Sequence, residues 1–166
     1  MTASLLTELL QFSRYNRIAN RILYECLAEI PEDDLKRTRP NTDDSVFAIL
    51  NHILVVDRDW MNRFTGVVVE NVPRGEILHD TLAALRDART QEDERIEEFV
   101  ENLSIAFLST QFRYQDAGGQ YRQDPADRLV VHMFVNQIHH RGRIEAHLLE
   151  MGQEPPLLDF HILLRG

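Results

Sequence analysis

The strongest constraint on the fold is the spacing of apolar residues, which recur every three or four positions over four separate stretches of the chain. This spacing matches a helical turn of about 3.6 residues and places the apolar side chains of each stretch on one face. The first three stretches run from about Thr2 to Ile30, from about Ser45 to Phe64 and from about Ile77 to Leu103. In the fourth, Asp124 is expected to be the N-cap, Pro125 to lie in the first turn and Gly152 to end the helix. The pattern predicts four long amphipathic helices.

The helical period is lost between Ser104 and Asp124, where β-branched and aromatic residues flank Gly118 and Gly119. Two short strands around an Ala-Gly-Gly turn explain both glycines, so we predict a β-hairpin there. The closing segment PPLLDFHILLRG is apolar and is expected to form a short helix over one end of the molecule. Together these features predict an all-α fold, an antiparallel four-helix bundle with a short β-hairpin before the last long helix and a short C-terminal helix. Residues 1–166 suit a single domain.

Charge and composition narrow the classes of partner. The formal net charge is −9, with acidic residues spread along the chain, so nucleic acid is not an expected partner. The charged face of the third predicted helix is expected to be solvated surface. No apolar run approaches the roughly eighteen residues that span a bilayer, which predicts no membrane span. Cys26 is the only cysteine and the amino terminus lacks a secretory signal pattern, so we expect a cytoplasmic protein.

Histidines are concentrated in the fourth predicted helix, where VNQIHHRGRIEAH (135–147) includes His139 and His140, with His132 just upstream. At about 100° per residue, His140 lies close to the core-facing direction, Asn136 lies at the edge of that face and His139 lies outside it. Asn136 and His140 are one turn apart, and side chains at this spacing can converge on one metal ion. His132 and His140 are separated by about 12 Å along the helix axis, which is too far for them to share an ion.

The residues alone leave two interpretations open. A histidine on an apolar face is more often a hydrogen-bonded core residue than a metal ligand. His52, in the second predicted helix, falls about 130° from the centre of its apolar face. This direction suits a side chain that faces a neighbouring helix near the edge of the bundle or, as we prefer, a surface residue. Other polar side chains occupy inward or neighbouring positions, and burying each one unpaired costs about 1–3 kcal/mol, so they form either a structural network or a water-lined pocket. These residues are Asn16, Asn20, Asp57 and Arg143.

At these residues the sequence resembles the DinB/YfiT-like superfamily, which is named for DNA-damage-inducible members and is unrelated to the similarly named polymerase. The likeness runs from RYNRIANRILYECL, through LNHILVVDRDWMNRFTG and HMFVNQIHHRGRIEAHLLEMG, to the closing LLDFHILLRG. The resemblance implies a four-helix bundle that is frequently a homodimer. It also implies a divalent metal held by one histidine of the second helix and an HxxxH pair of the fourth. His52 matches the first ligand and His140 the last, whereas Asn136 stands where relatives usually carry histidine.

The asparagine at this position weakens the implied metal site. An amide oxygen is a weaker donor than imidazole, so His52, Asn136 and His140 should hold nickel or zinc less tightly than three histidines would. If the polar residues line a pocket around these ligands, Arg143 or the asparagines would contact an anionic cosubstrate. That lining would consist of Asn16, Asn20, Asp57, His132 and Arg143.

The resemblance also bears on activity, because relatives of this superfamily include thiol-dependent transferases and isomerases. It implies a metal-dependent thiol S-transferase acting on small electrophiles, or a metal-activated hydrolytic relative, with a small-molecule substrate or thiol as partner. The alternative is a non-catalytic, stress-related dimer that binds a small molecule or metal through a site degraded by Asn136. DNA binding is suggested only by the name of the superfamily and is opposed by the net charge of −9.

Overall fold

The computed structural model describes residues 2–40, 42, 44–67, 75–116 and 118–165 of the chain. Its long helices are α1 (Thr2–Leu27), α3 (Val46–Thr65), α4 (Leu82–Glu101) and α6 (Ala126–Glu150). The shorter elements are α2 (Glu32–Lys36), α5 (Ile105–Leu108), strands β1 (Gln111–Gln115) and β2 (Tyr121–Pro125), and α7 (Phe160–Leu163). The predicted bundle of four long helices, with a hairpin before the last of them and a short helix at the end, is confirmed. The two short helices α2 and α5 were not predicted.

Each long helix of the bundle packs on two others. α1 contacts α4 and α6, and α3 contacts the same two helices. The apolar faces of all four helices therefore point to a shared interior. Within the part of the chain that the structure describes, none of the helices combines the length and the apolar content that a membrane crossing requires.

A layer of buried polar side chains lies between the two larger clusters of the apolar core. One cluster includes Leu23, Leu50, Leu85 and Ile144, and the other includes Leu9, Met61, Ile96 and Met133. On α1, α4 and α6, buried polar residues lie in sequence between the members of the two clusters, and on α3 Asp57 directly follows Val56, the first member of the second cluster on that helix. These buried residues include Asn16 and Asn20 on α1, Asp93 on α4 and Gln137 on α6. Apolar packing therefore holds both ends of the bundle, and polar contacts hold its centre.

Capping residues decide where α3 and α4 begin and end. The Ser45 hydroxyl caps α3 by accepting a hydrogen bond from a backbone N–H of the first turn. Gly66 ends the same helix at φ 70°, a left-handed conformation that suits glycine. Thr81 caps α4 as Ser45 caps α3, so α4 begins at Leu82 and not at Ile77 as predicted.

Two further helix boundaries differ from the prediction. α1 ends at Leu27 and not at Ile30. The backbone N–H groups of Glu29 and Ile30 donate to carbonyls three residues earlier, and this tighter turn replaces the α-helical hydrogen bonds to carbonyls four residues earlier. Asp124 does not cap α6, since it lies in β2. Pro125 ends that strand at ψ 128° and is the residue before the helix, so it does not lie in the first turn of α6.

The predicted hairpin is present and packs on the bundle through an aromatic contact. Its turn is built around Asp116, whose side chain accepts hydrogen bonds from two backbone N–H groups. Gly119 adopts φ 77°, while Ala117 of the predicted Ala-Gly-Gly turn lies outside the described residues. The ring centroid of Tyr114 on β1 lies 5.2 Å from that of Trp60 on α3, which fixes the hairpin against the bundle.

The C-terminal segment lies on α1. The Tyr15 hydroxyl donates a 2.8 Å hydrogen bond to the backbone carbonyl of Leu158. Phe160, the first residue of α7, places its ring centroid 5.1 Å from those of Phe12 and Tyr15. The predicted short C-terminal helix is present, but these contacts place the apolar tail near the middle of α1 and not over one end of the bundle.

Candidate functional site

Two histidine rings meet where α3 and α6 pack together. The ring centroids of His52 on α3 and His140 on α6 are 4.7 Å apart, and the ring planes make an angle of 62°. His140 is buried and His52 is half-buried. The side of α3 that the helical wheel assigned to solvent is turned towards α6 at this point, which brings the two imidazoles together.

Asn136 lies one helical turn before His140 on α6 and is half-buried. Its Nδ2 atom is buried and has no hydrogen-bond partner among the described residues. A buried amide without a partner costs free energy, and a half-turn of the side chain exchanges its nitrogen and oxygen. The amide is therefore available to a ligand or an ion beside His140.

The surroundings of His140 keep its imidazole neutral. The pKa of His140 falls from 6.5 to about 4, chiefly because the ring is buried and further because His52, Arg143 and His139 oppose a positive charge there. At neutral pH the ring is uncharged and retains one unprotonated nitrogen. This is the form of histidine that binds a metal ion.

Arg143 ties His140 to the segment before α3. Its Nη1 atom lies 3.3 Å from His140 Nδ1, and its Nη2 atom donates a 2.6 Å hydrogen bond to Asp44 Oδ2. The other carboxylate oxygen of Asp44 lies 3.6 Å from His147 Nε2. The sequence did not connect Asp44 with α6, because 99 residues separate it from Arg143 and no local pattern joins the two.

Two further histidines of α6 are exposed. His139 lies outside the core face, as its helical position predicts, although its ring centroid is 5.1 Å from that of His140. His132, which was predicted to line a pocket, packs its ring edge-on against Trp60 with the centroids 5.9 Å apart. The structure thus places His132 at the aromatic contact between α3 and α6.

Asn16, Asn20 and Asp57 lie in a hydrogen-bonded network within the buried polar layer. Both asparagine side chains donate to Asp93 of α4 at 3.1 Å. Arg141 of α6 donates to the side-chain oxygens of Asn16 and Asn20 at 2.7 and 3.0 Å. These contacts join α1, α4 and α6 directly through their side chains.

The rest of the network joins α3 to α4 and α6. Arg89 donates to Asp57 at 2.6 Å and lies 3.0 Å from Asp93, and the side-chain amide of Gln137 also donates to Asp57. Burial raises the pKa of Asp57 to about 7, against the opposing effect of Arg89. Arg89 and Asp93 are buried, so the expectation that the charged face of this helix is solvated surface was wrong for them. At 100° per residue both lie within about 80° of Leu85, on the apolar side of α4, so helical periodicity alone could have separated them from the exposed charged residues.

The donor set formed by His52, Asn136 and His140 fits a divalent metal ion in its chemistry. Imidazole is a preferred ligand of nickel and zinc, and an amide oxygen is a weaker neutral donor. Among the residues that the structure describes, no three His, Cys, Asp or Glu side chains are placed to hold one ion. Metal binding therefore depends on the Asn136 amide as the third donor, and it stays a prediction.

The chain is similar to known proteins over almost its whole length. A sequence model described as the DinB family matches residues 1–165. The protein named DinB from Bacillus subtilis strain 168 is 22% identical over 163 residues, which cover 90% of this chain and 90% of that protein. A crystal structure of a DinB-like protein from Bacillus subtilis aligns with a TM-score of 0.62 at 18% identity, covering 90% of this chain and 98% of the other. At that identity, the structural likeness shows the fold alone.

Proposed function

The chain belongs to the DinB family, and from this premise we propose that it is a cytoplasmic protein that binds nickel or zinc through His52, Asn136 and His140. Its proposed activity is the transfer of a small electrophile to the sulfur of a low-molecular-weight thiol. The observation that carries the proposal is the 4.7 Å separation of the His52 and His140 ring centroids. Two imidazoles from different helices meet there, whereas the spacing of residues along α6 supplies donors from one helix only.

The surroundings of the histidine pair support a cation site. The pKa of His140 is lowered to about 4, mainly by burial, so its ring is neutral at physiological pH. The Asn136 amide has a buried nitrogen without a hydrogen-bond partner, and a half-turn of the side chain would place its oxygen, the atom that binds a metal, at that position. Three protein donors leave coordination positions open, as catalytic sites require. A divalent ion in such a site lowers the pKa of a bound thiol and so supplies a nucleophile at neutral pH.

Arg143 would orient an anionic cosubstrate. It contacts His140, and its side chain is 39% exposed, so solvent reaches it beside the proposed site. Because a guanidinium binds a carboxylate through two parallel hydrogen bonds, Arg143 would hold the cosubstrate once its bonds to His140 and Asp44 are released. In the reaction the sulfur would form a bond to a carbon of the electrophile, the leaving group would depart into solvent as an anion with the electron pair of its bond to that carbon, and the thiol proton would pass to solvent.

Metal analysis of protein purified without an affinity tag tests the site. We expect an equimolar amount of nickel or zinc after incubation with either salt and removal of unbound metal. His52→Ala and His140→Ala should each lose this binding, whereas His161→Ala, which changes an exposed histidine of α7, should keep it. Substoichiometric metal in the unmodified protein, or full binding in both site variants, would contradict the proposal.

Thiol consumption with a panel of small electrophiles tests the activity. We expect consumption that stops when the metal is removed by a chelator and returns when the metal is restored. The His140→Ala variant should remain inactive after the same treatment. Activity that survives both metal removal and this substitution would show that the chemistry does not use the proposed site.

A second candidate function is a non-catalytic, stress-related protein that binds a small molecule or metal. The observation that favours it is Asn136, because two imidazoles and an amide bind a transition metal less tightly than three imidazoles. This protein would bind metal and consume no thiol with any electrophile of the panel. Metal-dependent consumption would instead reject this candidate.

The proposal includes a homodimer. Three apolar side chains of α6, Val135, Ile138 and Leu149, are 51%, 41% and 63% exposed. At 100° per residue they fall within about 60° of one another, so they form one apolar strip on the outer side of the helix. Sedimentation equilibrium should give a dimer for the unmodified protein and a monomer for the double variant Val135→Glu, Ile138→Glu. A monomeric unmodified protein would contradict this part of the proposal.

A further inference from the structure

Arg143 occupies one of the two ring nitrogens of His140. Its Nη1 atom lies 3.3 Å from His140 Nδ1, and a guanidinium can only donate hydrogen bonds. His140 Nδ1 therefore accepts the bond and carries no proton. Because a neutral imidazole holds one proton, that proton lies on Nε2. In this arrangement neither nitrogen of His140 is free to bind an ion.

Asp44 holds Arg143 in this position. The Arg143 Nη2 atom donates a 2.6 Å hydrogen bond to Asp44 Oδ2, and the side chain of Asp44 is only 26% exposed. Asp44 lies next to Ser45, the N-cap of α3, while Arg143 belongs to α6. The ion pair therefore spans the same two helices that carry His52 and His140.

We propose that Arg143 and Asp44 form a latch that competes with a metal ion for His140, an inference that rests on the proposed metal site. An ion that binds Nδ1 must displace the guanidinium from that nitrogen. An ion that binds Nε2 requires the ring proton to move to Nδ1, where Arg143 offers no acceptor for it. On either route Arg143 must release His140 before the site can fill.

The latch sets the apparent affinity of the site. When only a fraction of the molecules can bind, the apparent dissociation constant equals the intrinsic constant divided by that fraction. A substitution that opens the latch should therefore tighten metal binding although it adds no ligand. Groups next to metal-binding histidines commonly change affinity by about tenfold or more, which is the size of effect expected here.

Two substitutions test the latch by isothermal titration with nickel and zinc. Arg143→Gln should tighten binding by about tenfold, but the loss of a positive charge near the ion acts in the same direction. Asp44→Asn separates the two causes. It removes a negative charge, which by itself weakens cation binding, whereas release of Arg143 strengthens it. We expect tighter binding in Asp44→Asn, and unchanged or weaker binding there would overturn the latch.

Matched variants control for net charge. Arg17→Gln changes an arginine paired with Glu97 on the surface, and Asp87→Asn changes a carboxylate whose side chain is 69% exposed. Neither variant should alter the affinity by more than about twofold, because exposed charges at a distance are screened by salt. A circular dichroism spectrum of the Asp44→Asn variant, compared with that of the unmodified protein, is the control for intact helices.

Nitrogen-15 spectra of the metal-free protein show which ring nitrogen of His140 carries the proton, and so test the latch without any metal. The His140 signals should show a proton on Nε2 in the unmodified protein and a mixture of both neutral forms in Arg143→Gln. A proton on Nδ1 in the unmodified protein would overturn the latch. If all variants bind metal equally, only the latch is wrong. If none binds metal, both the metal site and the competition are wrong.

Discussion

Arg89 donates a 2.6 Å hydrogen bond to Asp57 at the centre of the bundle, where the two side chains are 4% and 0% exposed. The pair joins α4 to α3 inside the polar layer that separates the two apolar clusters. Taking two charges out of water is costly, and their attraction offsets that cost only while both partners are present. The centre of the bundle therefore depends on the pair being complete, and removal of one member is more harmful than loss of its apolar contacts.

Replacing Arg89 should destabilise the protein strongly. Above about pH 7, where Asp57 is ionised, Arg89→Met leaves the buried carboxylates of Asp57 and Asp93 without their shared cation, and we expect a loss of about 3–5 kcal/mol in the free energy of unfolding by urea. Arg86→Met is the matched control on the same helix, since the Arg86 side chain is 56% exposed, and it should change stability by less than about 0.5 kcal/mol. A loss below about 1 kcal/mol for Arg89→Met would contradict the prediction.

The stability that Asp57 contributes should fall as the pH rises from about 4 to about 7. Burial raises its pKa from 3.8 to about 7 in the folded protein, so within this window the folded state holds a proton that the unfolded state has released. Unfolding then becomes more favourable as the pH increases. The measurement is the free energy of unfolding of the unmodified protein minus that of Asp57→Asn, taken at several pH values. A difference that grows with pH would reverse the sign and reject the prediction.

Asp93 supplies an independent check of the same effect. Burial also raises the pKa of this carboxyl, although Arg89 and Asn20 act in the opposite direction. The same subtraction made with Asp93→Asn should therefore slope downward with increasing pH. A flat difference for both variants would show that burial raises the pKa of neither carboxyl.

Two glycine substitutions should change stability in opposite directions. Gly66→Ala places a side chain at φ 70°, and we expect a loss of about 1 kcal/mol from the end of α3. Gly142→Ala lies inside α6, where an added Cβ meets no atom within 4 Å. Because glycine in a helix interior is less favourable than alanine by about 1 kcal/mol, this change should stabilise the protein. The midpoint temperature of thermal unfolding, measured for each variant, tests both expectations. Shifts of the same sign in the two variants would contradict them.

Asn136→His should tighten metal binding by about tenfold or more, since imidazole is the stronger donor for nickel and zinc. Competition with a chromogenic chelator measures the affinity. Asn102→His, at the exposed end of α4, controls for an additional surface histidine. If the Asn136→His affinity equals that of the unmodified protein, residue 136 does not coordinate the ion.

The parts of the fold set by local chemistry were predictable from the chain. Apolar periodicity located the four long helices, and the glycines near residue 118 located the hairpin. Helix ends were less predictable, because hydroxyl caps such as Thr81 and turns such as that after Leu27 overrule the apolar pattern within one turn. The burial of Arg89 could have been predicted from helical periodicity, since Arg89 lies about 40° from Leu85 on the apolar side of α4, but its charge favours a surface position.

The order of the residues is enough to show which stretches are helical, which face of each is apolar, and that Asn136 and His140 share one edge of α6. The packing of the helices was needed to show that His52 faces His140, that Arg143 is held by Asp44, and that Asn16 and Asn20 share Asp93. Helical periodicity reports the direction of a side chain relative to its own helix axis. Whether that direction meets a partner depends on which helix packs beside it and on the rotation of both helices, and these are set by the packing of the whole core.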